Sequence, residues 1–243
     1  MPTVLILGAA SDMAVAVARK YAAAKYDLLL AARNTSRLDS LASDLKIRYN
    51  VNCSLLEFDA LDYASHASFY SSLPQVPEVV VCVFGYLGEQ EKAMQDWNHA
   101  SQIIQSNYTG AVSVLNIVAA SFVARGSGTI VGISSVAGDR GRKSNYIYGS
   151  AKAGFTAYLS GLRNDLFHKG VHVMTVLPGF VNTNMTSGLK LPPLLTAQPD
   201  EVASAIFNAA KSKKNIIYVK WMWRWIMLII RNIPEFMFKK MKL

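Results

Sequence analysis

Tyr148 and Lys152 stand four residues apart in Tyr-Gly-Ser-Ala-Lys. On a helix that spacing puts a phenol and an ammonium on one face. A neighbouring ammonium, together with the ribose hydroxyls it holds, lowers a phenol pKa from about 10 toward neutrality. Such a phenol can give or take a proton while hydride moves to or from a carbonyl carbon. Ser135 lies upstream in Ile-Ser-Ser-Val-Ala-Gly, at the end of an apolar run. Its hydroxyl can hydrogen-bond the reacting oxygen. Farther back, Asn107 in Ser-Asn-Tyr-Thr-Gly carries an amide that can anchor a water leading to Lys152.

A second group of residues suits a dinucleotide. The first apolar run ends at Gly8, followed by Ala-Ala-Ser-Asp-Met-Ala. A strand-to-helix turn opened by Gly lets backbone N–H groups approach a pyrophosphate at a helix N-terminus. Ser11 or Asp12 can cap that helix. The Asp12 carboxylate would repel a diphosphate, so it must point away or serve as the cap. The second run ends Ala-Ala-Arg at Arg33. An acid near this point would hold a ribose 2′-OH, whereas an Arg accommodates a 2′-phosphate. Arg33, with Arg37 one turn on, therefore favours NADP over NAD; the alternative is a solvated surface cation.

The elements that position these groups alternate. Short apolar runs at 3–8, 27–33, 51–59, 78–85, 128–135, 171–179 and 215–220 read as strands. Helical patterns lie between them at 12–25, 36–49, 63–73, 96–124, 146–168 and 199–211. Strands lacking in/out alternation are buried on both faces, which predicts an α/β fold. It is a Rossmann-type doubly wound parallel sheet of about seven strands, with the ligand at their carboxyl ends. The chain reads as one dinucleotide-binding domain over 1–219 and a C-terminal amphipathic extension over 220–243.

That extension begins Lys-Trp-Met-Trp-Arg-Trp at Lys220. From Lys211 onward the chain has nine basic residues and one acid, Glu235, so this end carries +8 of the formal +9. A nucleic-acid enzyme spreads its charge over a binding face, so no nucleic-acid partner is expected. The apolar run Trp221 to Ile230 is too short to span a bilayer, which takes roughly 20 residues. As a helix it shows a stripe of Trp221, Trp225, Leu228 and Ile229, with Met222 and Ile226 beside it. Arg224, Arg231 and Lys220 can snorkel to headgroup level. The segment lies on an anionic membrane surface, or it packs on the subunit or a second copy. The N-terminus has no basic stretch before its apolar run, so it does not read as a secretory signal, and the chain is expected to be cytoplasmic with peripheral contact at a membrane. Cys53 and Cys82 sit in strands as small buried hydrophobes. His168 and His172 are separated by Gly170, which ends the helix, so no metal site is expected.

With these residues in place the sequence resembles the short-chain dehydrogenase/reductase family over about 1–219. The resemblance rests on Gly8 to Ala14, Phe-Asp-Ala-Leu-Asp (58–62), Asn107-Tyr-Thr-Gly, Gly-Thr-Ile-Val-Gly-Ile-Ser-Ser-Val-Ala-Gly (128–138), Tyr148 to Lys152, and Leu-Pro-Gly-Phe-Val-Asn-Thr (177–183). It implies that Tyr148 is the acid/base, that Lys152 orients the ribose, that Ser135 polarises the carbonyl and that Asn107 completes the relay. Gly8, Ser11, Asp12 and Met13 would line the pyrophosphate turn, and Gly85 the end of the fourth strand. Asp59 and Ala60 would face the adenine. Pro178, Gly179, Val181 and Thr183 would hold the nicotinamide. Two departures stand out: Asp12 and Ala14 replace family glycines, and Val-Phe-Gly at 83–85 replaces Asn-Ala-Gly, removing a buried hydrogen bond. The acid-bearing turn resembles a divergent branch, the decaprenylphosphoryl-2-keto-pentose reductases. The resemblance implies an NADP-dependent oxidoreductase acting on an apolar or lipid-linked carbonyl or hydroxyl, and a homo-oligomer formed through the helices at 96–124 and 146–168. The contrasting expectation is a non-catalytic dinucleotide sensor or scaffold docked at a membrane.

Overall fold

The apolar runs become strands and the periodic segments helices. A computed structural model describes residues 1–188 and 190–241; Lys242, counted with the basic tail, lies outside the described residues. The order is β1 (Thr3–Leu7), α1 (Asp12–Ala23), β2 (Asp27–Ala32), α2 (Asp39–Tyr49), β3 (Cys53–Glu57), α3 (His66–Ser71), β4 (Val79–Cys82) and α4 (Gln90–Gln95). Then come α5 (Trp97–Ile104), α6 (Gly110–Arg125), β5 (Gly128–Ile133), α7 (Tyr146–Leu166), β6 (Val171–Pro178), β7 (Phe180–Val181) and β8 (Thr196–Ala197). The chain closes with α8 (Pro199–Lys211), β9 (Ile216–Val219), α9 (Met222–Asn232) and α10 (Glu235–Phe238).

Seven strands form one parallel sheet in the order β3-β2-β1-β4-β5-β6-β9. Strand order reverses between β1 and β4. That is the crevice where a doubly wound sheet takes its ligand. β7 and β8 make a separate two-stranded pair beyond β6. On one face Val4, Ile6, Leu28 and Leu30 pack with Ala14, Val17 and Ala18 of α1 and with Val202 and Ile206 of α8. On the other, Leu5, Leu7 and Val80 pack with Val114, Leu115 and Val118 of α6 and with Phe155 and Leu159 of α7.

The stretch expected as one long helix at 96–124 is continuous, but a π turn at Gln105–Thr109 joins α5 to α6. By length and composition Trp97–Arg125 could cross a membrane. Here it is a layer of the core, with Val114, Leu115, Val118 and Phe122 fully buried.

The C-terminal segment is docked on the sheet end. Trp223 and Met227 pack against Val136 and Leu177. Arg140 donates to the Arg231 carbonyl at 3.0 Å and to the Glu235 carboxylate at 2.6 Å, and its guanidinium lies over the Phe238 ring. The stripe read from the sequence, Trp221, Trp225, Leu228 and Ile229, is the outward one and remains exposed. The buried stripe is Trp223, Ile226, Met227 and Ile230. α9 is apolar over most of its circumference, so periodicity offers two stripes, and only tertiary contact selects between them.

Candidate active site

The adenosine end of the site is built at β1, β2 and β3. Gly8 has φ +90, and a Cβ there would lie 2.7 Å from the Phe84 backbone nitrogen. Only Gly fits this turn. Ser11 caps α1, its hydroxyl accepting from the Ala14 N–H at 3.3 Å. Asp12 points away from the turn: its carboxylate accepts from the Asn184 backbone N–H at 2.7 Å and from Nδ2 at 3.1 Å. The repulsion expected from Asp12 is resolved in this way. The backbone N–H groups of Asp12 and Met13, at the first turn, have no intrahelical acceptor and suit an anion.

A cavity of about 520 Å³ runs from Gly8 past Arg33, Arg37, Phe58, Asp59, Ala60 and Gly85. Arg33 and Arg37 are exposed, and among the described residues neither forms an ion pair. Glu57, the nearby acid, is occupied. Its carboxylate accepts from the backbone N–H groups of Asn34 and Thr35 and from the Thr35 hydroxyl. Asp59 accepts from the Leu61 N–H at 2.9 Å. Phe84 stands where the resemblance leads one to expect a small residue. Its ring packs 5.8 Å from that of Phe58, while Val83, at the position of the missing Asn, is buried in the core.

Gly85 also lines a second cavity of about 140 Å³ that holds Asn107, Ser135, Tyr148, Lys152, Pro178, Gly179, Val181 and Thr183. Met13 reaches this cavity rather than the adenosine cleft. Lys152 is 4% exposed and donates to the Ile133 carbonyl at 3.0 Å. Asn107 sits in the π turn, a frequent device for re-aiming a functional side chain. Its Nδ2 donates to the carbonyls of Tyr86 and Ile103, and its Oδ1 accepts from the Tyr86 N–H. A Cβ on Gly85 would lie 2.6 Å from Asn107 Oδ1 and 3.4 Å from Lys152 Nζ, so this glycine lets the two side chains converge.

In the free chain, with no ribose beside it, burial sets the electrostatics of the pair. Burial pushes the Tyr148 phenol up to about 12, with the Ser135 hydroxyl pulling the other way. Burial pushes the Lys152 ammonium down to about 8. Lys152 Nζ lies 5.8 Å from the Tyr148 ring centre and does not bring the phenol toward neutrality in the free chain. Desolvation outweighs the charge at that separation.

The sequence reading missed residues that the fold brings to this cavity. Trp223 lines it, donates its indole N–H to the Leu195 carbonyl at 3.0 Å, and lies so close to Gly179 that a Cβ there would clash. Arg142, Asn145 and Phe180 line it too. The i, i+4 pair Trp223–Met227 was the only sequence signal for the first; the others had none. Among the described residues no cluster of His, Cys, Asp and Glu could hold a metal ion.

The two cavities share Gly85 as a wall, and their residues suit a dinucleotide: a glycine turn, two guanidiniums without an ion pair among the described residues at one end, and a buried ammonium beside a phenol at the other. A family model described as short chain dehydrogenase matches residues 2–192. An uncharacterized oxidoreductase of Mycobacterium tuberculosis is 37% identical, covering 98% of this chain and 96% of the relative. Sulfoacetaldehyde reductase 2 of Chromohalobacter salexigens is 32% identical over 75% of this chain and 74% of its own. A short-chain dehydrogenase from Sphingobium yanoikuyae, solved in complex with NADPH, superposes with a TM-score of 0.84 at 27% identity, covering 97% of both chains. Among other solved neighbours one holds NADP and another NAD. On its fold, its site and these matches, the chain belongs to the short-chain dehydrogenase family and is a dinucleotide-dependent oxidoreductase.

Proposed function

We propose that the chain is an NADPH-dependent reductase of a carbonyl on an apolar, membrane-held substrate. Polyprenyl-phosphate-linked keto-sugars and long-chain keto-lipids are the leading candidates, in keeping with the branch its phosphate turn resembles. The observation that carries the reading is the convergence of Ser135, Tyr148 and Lys152 in one cavity walled by Trp223, Val136 and Phe180. The cofactor, when bound, supplies the hydride. Arg33 and Arg37 would hold a 2′-phosphate, the α1 N-terminus the diphosphate, and Lys152 the ribose hydroxyls. Ser135 and Tyr148 both donate hydrogen bonds to the substrate oxygen. A phenol held near 12 is protonated throughout the physiological range. In the free chain it is thus in the form that can protonate an oxygen becoming an alkoxide. Trp223 and Phe180 exclude water from the transfer.

Tyr148→Phe is expected to cost about 10²-fold or more in turnover on an authentic substrate. A loss within about threefold removes the mechanism. Arg33→Ala should weaken NADPH binding, measured by calorimetry, roughly 10-fold while leaving NADH nearly unchanged. Equal effects on both would make Arg33 a surface residue. Nucleotide binding without turnover on any carbonyl would favour a non-catalytic sensor instead. Pairing of two copies through α5–α6 and α7 belongs to the same reading and is checked by solution mass.

A further inference from the structure

Arg142 follows β5 and turns into the cavity that holds Tyr148. Its Nε is buried and has no acceptor. One terminal nitrogen, Nη2, donates to the Met227 thioether at 3.1 Å, a weak acceptor. Among the described residues no carboxylate lies within ion-pair distance of it. Asp139, three residues before it, instead accepts from the Tyr218 hydroxyl at 2.9 Å. Asn145 Oδ1, lining the same cavity, is also buried without a donor. Asp139 acts on Arg142 only at longer range; Arg142 is half-buried, and its cavity-facing Nε is cut off from water without an acceptor, which costs free energy. In a cavity walled by Trp223, Val136 and Leu87 its attraction for an anion is correspondingly strong. A planar fork of N–H donors matches carboxylate, sulfonate and phosphate oxygens.

We infer that Arg142 is the receptor for an anionic group carried by the same substrate as the reacting carbonyl. The inference rests on the carbonyl reading of the site and narrows it: the substrate is an oxo-acid, an oxo-sulfonate or an oxo-phosphate ester. The anion sits on the Trp223 side, where Met227 now fills in as the guanidinium's partner. Asn145 Oδ1 is an acceptor and would take a donor hydroxyl of the substrate, not the anion.

The test uses the full chain loaded with NADPH and made unreactive by Tyr148→Phe, so that binding is read without turnover. Calorimetry compares 4-oxopentanoate with its methyl ester, and methyl phosphate with geranyl phosphate. The anionic ketone should bind roughly 10- to 100-fold tighter than the ester. Adding Arg142→Met should erase that preference while NADPH affinity and the melting temperature hold, and Arg142→Lys should keep part of it. Tighter binding of geranyl phosphate than of methyl phosphate assigns the anion to a lipid-linked phosphate; equal binding assigns it to a small soluble acid. No preference for the anionic ketone, or an equal loss for acid and ester on Arg142→Met, overturns the inference. In wild type the preference should appear in KM. Anion binding that depends on Arg142, without turnover of any carbonyl, would defeat the carbonyl reading and leave Arg142 as an anion receptor. Turnover of neutral ketones indifferent to Arg142 would do the reverse.

Discussion

Lys152 is mostly charged at neutral pH but loses its charge within reach of mild alkali, because burial brings it down to about 8. Its folded pKa lies below the usual lysine value, so raising pH through about 8 removes the charge. The ammonium is the group that would hold the ribose hydroxyls. For free enzyme, kcat/KM for NADPH should therefore fall as pH rises through about 8, with a slope of one proton. Tyr148, near 12, adds no limb below about 10. A profile flat from pH 6 to 10 would remove Lys152 from cofactor capture. Tyr148, Lys152, Ser135 and Asn107 were legible in the sequence because local spacing on strand ends and helices sets their direction. Arg142 and Trp223 were not, since only the tertiary fold turns a loop guanidinium and a tail indole into the same cavity. The burial that raises the phenol in the free chain was not legible for a related reason: desolvation is a property of the packed site, and spacing carries no information about it.

At the level of elements, α1 and the turn at Asn184–Thr186 are joined through Asp12. Both Asn184 donors end on that one carboxylate. The acid also sits in the first turn of α1, where the helix dipole favours it. Asp12→Ala should release the Asn184–Thr186 turn, seen as faster proteolysis there and a stability loss of about 1 kcal/mol. NADPH should bind at least as well, because a negative charge near the diphosphate is gone. A collapse of NADPH affinity would mean that Asp12 builds the phosphate turn itself. Strand and helix order was readable from periodicity, since buried parallel strands and amphipathic helices leave different patterns. The π turn around Asn107 was not legible: Ser, Asn, Tyr and Thr are weak helix formers, a signal too common to locate a widened turn, and Gly110, which follows it, packs so closely against the Ala60 carbonyl that a Cβ would not fit.

Over the whole molecule, charge and exposed aromatic surface coincide at the C-terminus. Trp221, Trp225, Leu228, Ile229, Phe236 and Met237 are exposed, and Arg224, Arg231, Lys239 and Lys240 stand among them. Such a surface suits an anionic bilayer. Full-length protein should sediment with liposomes containing phosphatidylserine, less so at high salt, and a chain lacking 221–243 should not. Full-length protein that stays in the supernatant would turn the face toward a second copy, read as a concentration-dependent mass. Because Trp223 belongs to the same helix, the truncation should also raise KM for any apolar carbonyl, which a mere anchor would not do.

The four indoles give the molecule an optical division of labour. Trp223 is 4% exposed and lines the reaction cavity, whereas Trp97, Trp221 and Trp225 are 73%, 72% and 55% exposed. Reduced nicotinamide absorbs where indole emits, so Trp223 is the natural energy donor to a nucleotide bound beside Gly179. A collisional quencher in water silences the exposed three first. Emission that survives the quencher reports events inside the cavity, and a blue shift of the quenchable fraction reports burial of the tail. One unlabelled sample can thus follow nucleotide capture and surface attachment as separate signals, and show whether either changes the other.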